Sequence, residues 1–243
     1  MIIKELMTFL NKELKINEFE DSSINGLQVG KQSQEIEKIA FAVDASLETF
    51  QKAKEEGCNL IIVHHGLFWS KNELPTEIMY DRIKFLINNN IALIGIHLPL
   101  DAHPKIGNNA QLCKLFNAKI IDKFLVGFKA ELNEEKPLIE FIEEINAKLK
   151  TKSKVLTNGK ENIKTFAVVA GSAASYIHLV EDVDVFITGE SRHDNYHFAK
   201  EKKLNVIYSG HYATETVGIN ALKDLIKDKF DILTVFIDIP TSL

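Results

Sequence analysis

Leu60-Ile61-Ile62-Val63-His64-His65-Gly66 is the stretch on which the reading of this chain turns. Four apolar residues, two Ile and one Val among them, predict a short strand buried on both faces. It runs directly into two adjacent histidines and a glycine. Side chains alternate along a strand, so neighbouring histidines inside it would point to opposite faces. At the strand's end, Gly66 lets the backbone turn and both imidazoles can converge on one point. Open α/β sheets bind their ligands there, beyond the carboxyl ends of the strands. The plain alternative is a pair of surface-loop histidines.

Outward from this stretch, strands and helices alternate. Ile2, Ile3, Leu6, Phe9, Leu10 and Leu14 recur at helical spacing and predict an opening helix over residues 2–15. Asn25 to Gly30 reads as a turn into a short strand, and 36–43 as a second strand ending at Asp44-Ala45-Ser46. Ser46 is placed to cap a helix over 47–56 that Gly57 closes. Residues 67–76, with the single tryptophan Trp69, read as a loop before a helix over 77–88 and a strand over 91–96. Pro99 and Pro104 stop regular structure after His97, and Gly107-Asn108-Asn109 opens a helix through Phe116. Residues 119–133 look strand-like, and 125–137 is the best linker position. A helix over 138–149, strands over 154–157 and 165–170, and the buried strand ending at Thr188 follow. After Glu215 come a helix over 217–228 and a strand over 232–239. That last strand is apolar enough to be central in the first lobe's sheet.

Phe41-Ala42-Val43-Asp44-Ala45-Ser46 echoes Phe166-Ala167-Val168-Val169-Ala170-Gly171, and the same offset carries His64 to Gly189. The expected fold class is therefore α/β, built as two similar α/β lobes related by an internal pseudo-repeat. Residues 1–125 with 216–243 would form the first lobe and 126–215 the second, with no large inserted domain. Their carboxyl-end loops would surround one cleft holding a di-metal site.

The 243 residues carry 45% hydrophobic and 26% charged side chains, as in ordinary globular proteins. A net charge of −5 without a basic run leaves no footprint for nucleic acid. Cys58 and Cys113 cannot build a disulfide framework and read as buried thiols. The start Met-Ile-Ile-Lys-Glu has no signal-peptide character, and no stretch is apolar enough for a membrane span. A cytoplasmic protein is expected.

Five polar residues fall in loops at strand ends: His64, His65, Asp101, His211 and Glu215. Imidazoles with carboxylates suit borderline divalent ions such as zinc, iron, manganese or nickel. Five donors exceed one open tetrahedral site, and carboxylates can bridge two ions about 3.5–4 Å apart. If a helix begins at His211, Glu215 shares its face. Each residue also has an ordinary reading: Asp101 as a cap, Glu215 as a first-turn carboxylate, His211 as a surface histidine. His97 is a candidate for orienting a ligand or moving a proton, and Glu190 and His193 for contacting a substrate or acting as acid or base. His103 reads as surface, and His178 and His197 as structural. No glycine-rich phosphate loop is present.

Several motifs resemble the GTP cyclohydrolase 1 type 2 family, the NGG-interacting-factor-like, YbgI-type dinuclear metal proteins. They are Asn25-Gly26-Leu27-Gln28-Val29, Val63-His64-His65-Gly66, His97-Leu98-Pro99-Leu100-Asp101-Ala102-His103-Pro104, Gly107-Asn108-Asn109-Ala110, Ile187-Thr188-Gly189-Glu190, Gly210-His211-Tyr212-Ala213-Thr214-Glu215 and Phe236-Ile237-Asp238-Ile239-Pro240. They run in order from about residue 20 to the end. The resemblance implies two metal ions per chain held by His64, His65, Asp101, His211 and Glu215, with Glu215 touching both and Asp101 a second candidate for doing so. It implies a toroidal homohexamer with the sites facing its cavity. It also implies hydrolytic opening of the guanine imidazole ring of GTP, giving formate and dihydroneopterin triphosphate. The alternatives are a phosphoesterase for another nucleotide, or a non-catalytic metal-binding scaffold that presents its site to a partner.

Overall fold

The computed structural model describes residues 1–69 and 74–243. Its elements in chain order are α1 (Ile3–Leu14), β1 (Gly26–Val29), β2 (Lys38–Asp44), α2 (Leu47–Glu55), β3 (Leu60–His65), α3 (Glu77–Asn88), β4 (Ala92–Gly95) and α4 (Leu98–Asp101). There follow α5 (Asn108–Leu115), β5 (Ala118–Phe124), β6 (Gly127–Pro137), α6 (Leu138–Leu149), β7 (Lys154–Leu156) and β8 (Asn162–Val168). The chain ends with β9 (Val185–Thr188), α7 (Asn195–Lys202), β10 (Asn205–Tyr208), α8 (His211–Phe230) and β11 (Leu233–Phe236). Two compact units emerge, residues 1–100 with 219–239 and residues 101–218 with 240–243.

The first unit is built on a five-stranded sheet of order β1-β4-β3-β2-β11. β2, β3, β4 and β11 run parallel, and β1 pairs antiparallel with β4. β3 is central, and Leu60 to Val63 are fully buried, as a strand covered on both faces must be. Phe50 and Ala53 of α2 and Leu86 of α3 pack against Ala40, Ala42, Ile61, Val63 and Leu93. Ser46 caps α2 as expected, its hydroxyl accepting the Thr49 N–H at 3.1 Å.

The second unit carries a six-stranded sheet of order β5-β6-β8-β9-β10-β7. β8, β9 and β10 are parallel, and β7 closes that edge antiparallel to β10. Phe141 and Ile145 of α6 are buried with Phe116, Phe166 and Ile187. The pseudo-repeat is thus visible within each sheet: three sequential parallel strands, with a short antiparallel strand beside the third. A 3-10 turn over Ala174–Leu179 stands in the second unit where α2 stands in the first.

Several expectations differ from what is observed. The stretch expected as a linker, 125–137, is a tight turn followed by β6, which is hydrogen-bonded on both sides. The units part at Leu100/Asp101 and Gly218/Ile219, whereas the sequence suggests 125/126 and 215/216. β11 joins the first sheet, but at its edge next to β2, not its centre. α8 begins at His211, six residues before the expected helix start at 217. Residues 70–73 of the expected loop lie outside the described residues. Burial raises the Cys58 and Cys113 thiols to about 11 and about 12, so both stay as inert packing groups. Among the described residues, no helix is long and apolar enough to cross a membrane.

Candidate metal centre

In the first unit, β3 extends through His65, and His64 and His65 are both strand residues. Their rings nonetheless lie 4.7 Å apart at 46°. His97, directly after β4, brings a third ring 5.1 Å from His64 and 5.7 Å from His65. One ring nitrogen from each of the three falls within 4.8 Å of the other two, close enough to hold an ion. Trp69 packs edge-on to His97 at 5.0 Å and donates its indole N–H to the Gly66 carbonyl.

Each ring is anchored through Nδ1. His64 Nδ1 lies 3.0 Å from the Ile96 carbonyl, His65 Nδ1 2.8 Å from Asp44 Oδ1, and His97 Nδ1 2.8 Å from Asp21 Oδ1. A carbonyl or a carboxylate oxygen can only accept, so each Nδ1 donates and the lone pair of the neutral ring resides on Nε2. This is the arrangement that metal-ligating histidines adopt, their other nitrogen tied to a carbonyl or carboxylate.

Gly66 has a role other than the one its sequence suggests. Its φ is not in the left-handed region, and its missing side chain makes room for Gln28, whose amide a Cβ on Gly66 would strike. Gln28 spends that amide on the chain itself: Oε1 accepts the Leu67 N–H and Nε2 donates to the Ile24 carbonyl, both at 2.7 Å. The motif from Asn25 to Val29 is therefore the floor on which the histidine-bearing strand end rests.

In the second unit, α8 places His211 and Glu215 one turn apart, with His211 Nε2 3.1 Å from Glu215 Oε2. Glu190 closes the other side, Oε1 to His211 Nδ1 at 2.5 Å. Burial alone would lower the His211 pKa; Glu215 and then Glu190 outweigh it and raise it to about 9. The His211 hydrogen bond holds Glu190 below its ordinary value against a smaller effect of burial. Glu190 thus sits where it orients His211, as Asp44 orients His65.

Glycines make the approach possible. Gly171 has φ +67°, and a Cβ there would collide with Glu215 Oε1. A Cβ on Gly189 would come within 2.6 Å of the Gly171 carbonyl and 2.7 Å of His211 Cα. Thr214 ties the corner together, accepting the Gly171 N–H at 3.0 Å and donating toward the Gly210 carbonyl.

Asp101, at the end of α4, is buried, and its Oδ1 accepts from Asn108 Nδ2 at 2.8 Å. Asn108 is itself fully buried and takes the Gly218 N–H on its Oδ1 at 2.8 Å. Asn109 binds the Asp101 and Val126 carbonyls and accepts the Ala170 N–H. The remaining candidates stand apart. His103 Nδ1 accepts the backbone N–H of Lys105 and of Ile106, His178 bonds the Ser175 carbonyl, and His197 packs on Tyr196. Asp21 and Asp44 are not singled out by the sequence, since the acceptor that anchors a histidine has no local signature, and Asn108 enters there only as part of the Gly107-Asn108-Asn109-Ala110 motif.

The donor types suit a borderline divalent cation. Flanked by two carboxylates, His211 retains a proton that a cation would replace as the partner of Glu215.

Comparison with known proteins agrees with the motifs. The family model for Duf34/NIF3 (NGG1p interacting factor 3) matches residues 1–242. A protein of Pyrococcus horikoshii named GTP cyclohydrolase 1 type 2 homolog is 42% identical over 248 residues, covering 98% of each chain. The solved structure of protein ybgI, described as of unknown function, matches with a TM-score of 0.95 at 36% identity over 100% of both chains. TTHA1606 from Thermus thermophilus matches with a TM-score of 0.95 at 35% identity, again over 100% of both. On the match along its whole length, in sequence and in fold, this chain belongs to the Duf34/NIF3 family.

Proposed function

We propose that the chain is a dinuclear-metal-dependent hydrolase that opens the imidazole ring of GTP. Its ligands would be His64 and His65 of the first unit and Asp101, His211 and Glu215 of the second, holding two divalent first-row ions. The observation that carries this reading is the anchoring of each histidine through Nδ1: His64 by a carbonyl, His65 by Asp44 and His211 by Glu190. Proteins orient imidazole ligands in this way, and at His65 and His211 the anchor is a carboxylate, whereas the exposed His178 takes only a carbonyl three residues back in its own turn. Bound divalent ions supply Lewis acidity and a water activated at neutral pH, the means for hydrolysis.

The chain's own groups supply positioning. Asn108 fixes one carboxylate oxygen of Asp101, and Gly171 clears the space that Glu215 occupies. Glu190 is assigned to orienting His211, and His97 to the proton traffic around the substrate. The guanine nucleotide follows from the names of relatives such as the Pyrococcus horikoshii protein. A homohexamer is proposed on the resemblance alone. Ile78 and Ile87, exposed on α3, are the kind of apolar surface that self-association covers.

Incubating metal-loaded protein with GTP, while following formate and the fluorescent oxidised pterin, tests the reaction. Turnover that is lost in Glu215→Gln and His65→Ala is expected. Turnover that persists after the ions are stripped would contradict the reading, and none with any nucleotide would favour a metal-binding scaffold.

A further inference from the structure

Asp21 is the most heavily bonded carboxylate near the three rings. Its side chain is 2% exposed, against 17% for His97. Oδ1 accepts from the Ser23 N–H at 3.0 Å and from His97 Nδ1 at 2.8 Å. Oδ2 accepts from Asn25 Nδ2 at 2.9 Å and from the Leu98 N–H at 3.0 Å. Asn25 completes the bracket, its Oδ1 taking the His97 backbone N–H at 2.6 Å. Both the ring and the backbone of His97 are thus held from one loop, Asp21 to Asn25.

We propose that Asp21 is the positioning residue of His97: it locks the imidazole as its Nδ1–H tautomer and so supplies a hydrogen-bond acceptor at Nε2, beside the His64 and His65 rings. Four donors converge on one carboxylate, and only an ionised carboxylate accepts all four. His97 therefore has no choice of tautomer. The same device holds His65 on Asp44, but here it is spent on a ring outside the proposed ligand set. The group that Nε2 receives is a hydrogen-bond donor, either a water or an N–H or O–H of the substrate. The proposal rests on the reading of His64 and His65 as the working end of the first unit.

Replacing the carboxylate by an amide gives a sharp consequence. An amide brings one acceptor atom and one donor group to a place where four donors meet. Backbone N–H groups cannot reverse, and Asn25 is committed at both ends of its amide. The His97 ring is the partner that can exchange donor for acceptor, by moving its proton from Nδ1 to Nε2.

Long-range proton–nitrogen correlation spectra of the full chain, labelled with 15N-histidine and recorded at mildly alkaline pH, test this, with His97→Gln assigning the signals. The wild-type protein should show His97 protonated at Nδ1 and bare at Nε2. Asp21→Asn should move that proton to Nε2 and leave the tautomers of His64 and His65 as they are. A wild-type His97 protonated at Nε2, or a folded Asp21→Asn with an unchanged tautomer, overturns the proposal. If Asp21→Asn does not fold, the wild-type spectrum alone decides. Metal content provides the second arm: His97→Gln should bind as many ions as the wild type, and loss of an ion would make His97 a ligand and overturn its positioning by Asp21 for an acceptor role. A wild-type chain that binds no ion refutes the metal reading and leaves the tautomer to the spectrum.

Discussion

The side-chain amide of Gln28 lies flush against Gly66 and, at 2.7 Å, accepts the N–H of Leu67. The same amide would come within 2.7 Å of a Cβ on Gly95 at the end of β4, so one glutamine is seated between two strand ends. Gly66→Ala must expel it. Overpacking of this kind costs about 1–3 kcal/mol, read as a lower denaturation midpoint, and it should loosen metal binding at His64 and His65. Gly57→Ala, in open space at φ +71°, should cost about 1 kcal/mol from backbone strain alone and leave metal binding intact. Equal effects of the two on metal binding would contradict the seat.

Asn108 joins the Asp101 carboxylate to the backbone of α8 at Gly218, across 110 positions of sequence. Asn108→Leu keeps the volume but removes the donor to the buried Asp101 carboxylate and the side-chain acceptor of the Gly218 N–H. A loss of about 1–3 kcal/mol in denaturant unfolding is expected from the loss of these two buried hydrogen bonds. A change below the error of the measurement would mean that the Gly218 N–H does not depend on Asn108.

Gly171→Ala places a methyl group against Glu215 at a left-handed φ. It should weaken ion binding more than it lowers the melting temperature, because the collision is with the carboxylate itself. Calorimetric titration with zinc, set beside thermal unfolding, separates the two. Unchanged binding would show that Glu215 has room to move aside.

Burial alone would raise the Asp21 carboxyl; hydrogen bonds from His97, Asn25 and the Ser23 N–H outweigh it and lower its pKa from 3.8 to about 2. A folded pKa below the unfolded one adds stability that is present in full above the unfolded value and is lost as pH falls through the folded one. Unfolding free energy should therefore decline from about pH 4 toward pH 2, and Asp21→Asn should flatten that limb. An acid limb identical in the two proteins would show that Asp21 is not responsible for it.

Much of this molecule is legible from local pattern. The buried run Leu60 to Val63 is the central strand, and α3 begins and ends where its periodicity places it. The repeat between Phe41 and Phe166 corresponds to β2 and β8, which open the parallel series in the two sheets. What stays hidden is set by distance along the chain. Asp21 meets His97 across 76 residues and Asp44 meets His65 across 21, and nothing local to either histidine names its partner. Gly66 reads as a turn glycine because the residue that needs its space, Gln28, is 38 positions away. The strand-rich hairpin of β5 and β6 reads as a break because polar residues such as Asn133, Glu134 and Glu135 dominate its exposed end. β11 is apolar yet at an edge, since Val235 packs on the core while Leu233 is exposed.

The most direct test is the number of ions the chain holds. Elemental analysis of protein supplied with zinc or manganese and freed of loose metal should find two ions per chain in the wild type. It should find a clear loss in His65→Ala and in Glu215→Gln. Fewer than one ion per wild-type chain would contradict the dinuclear site.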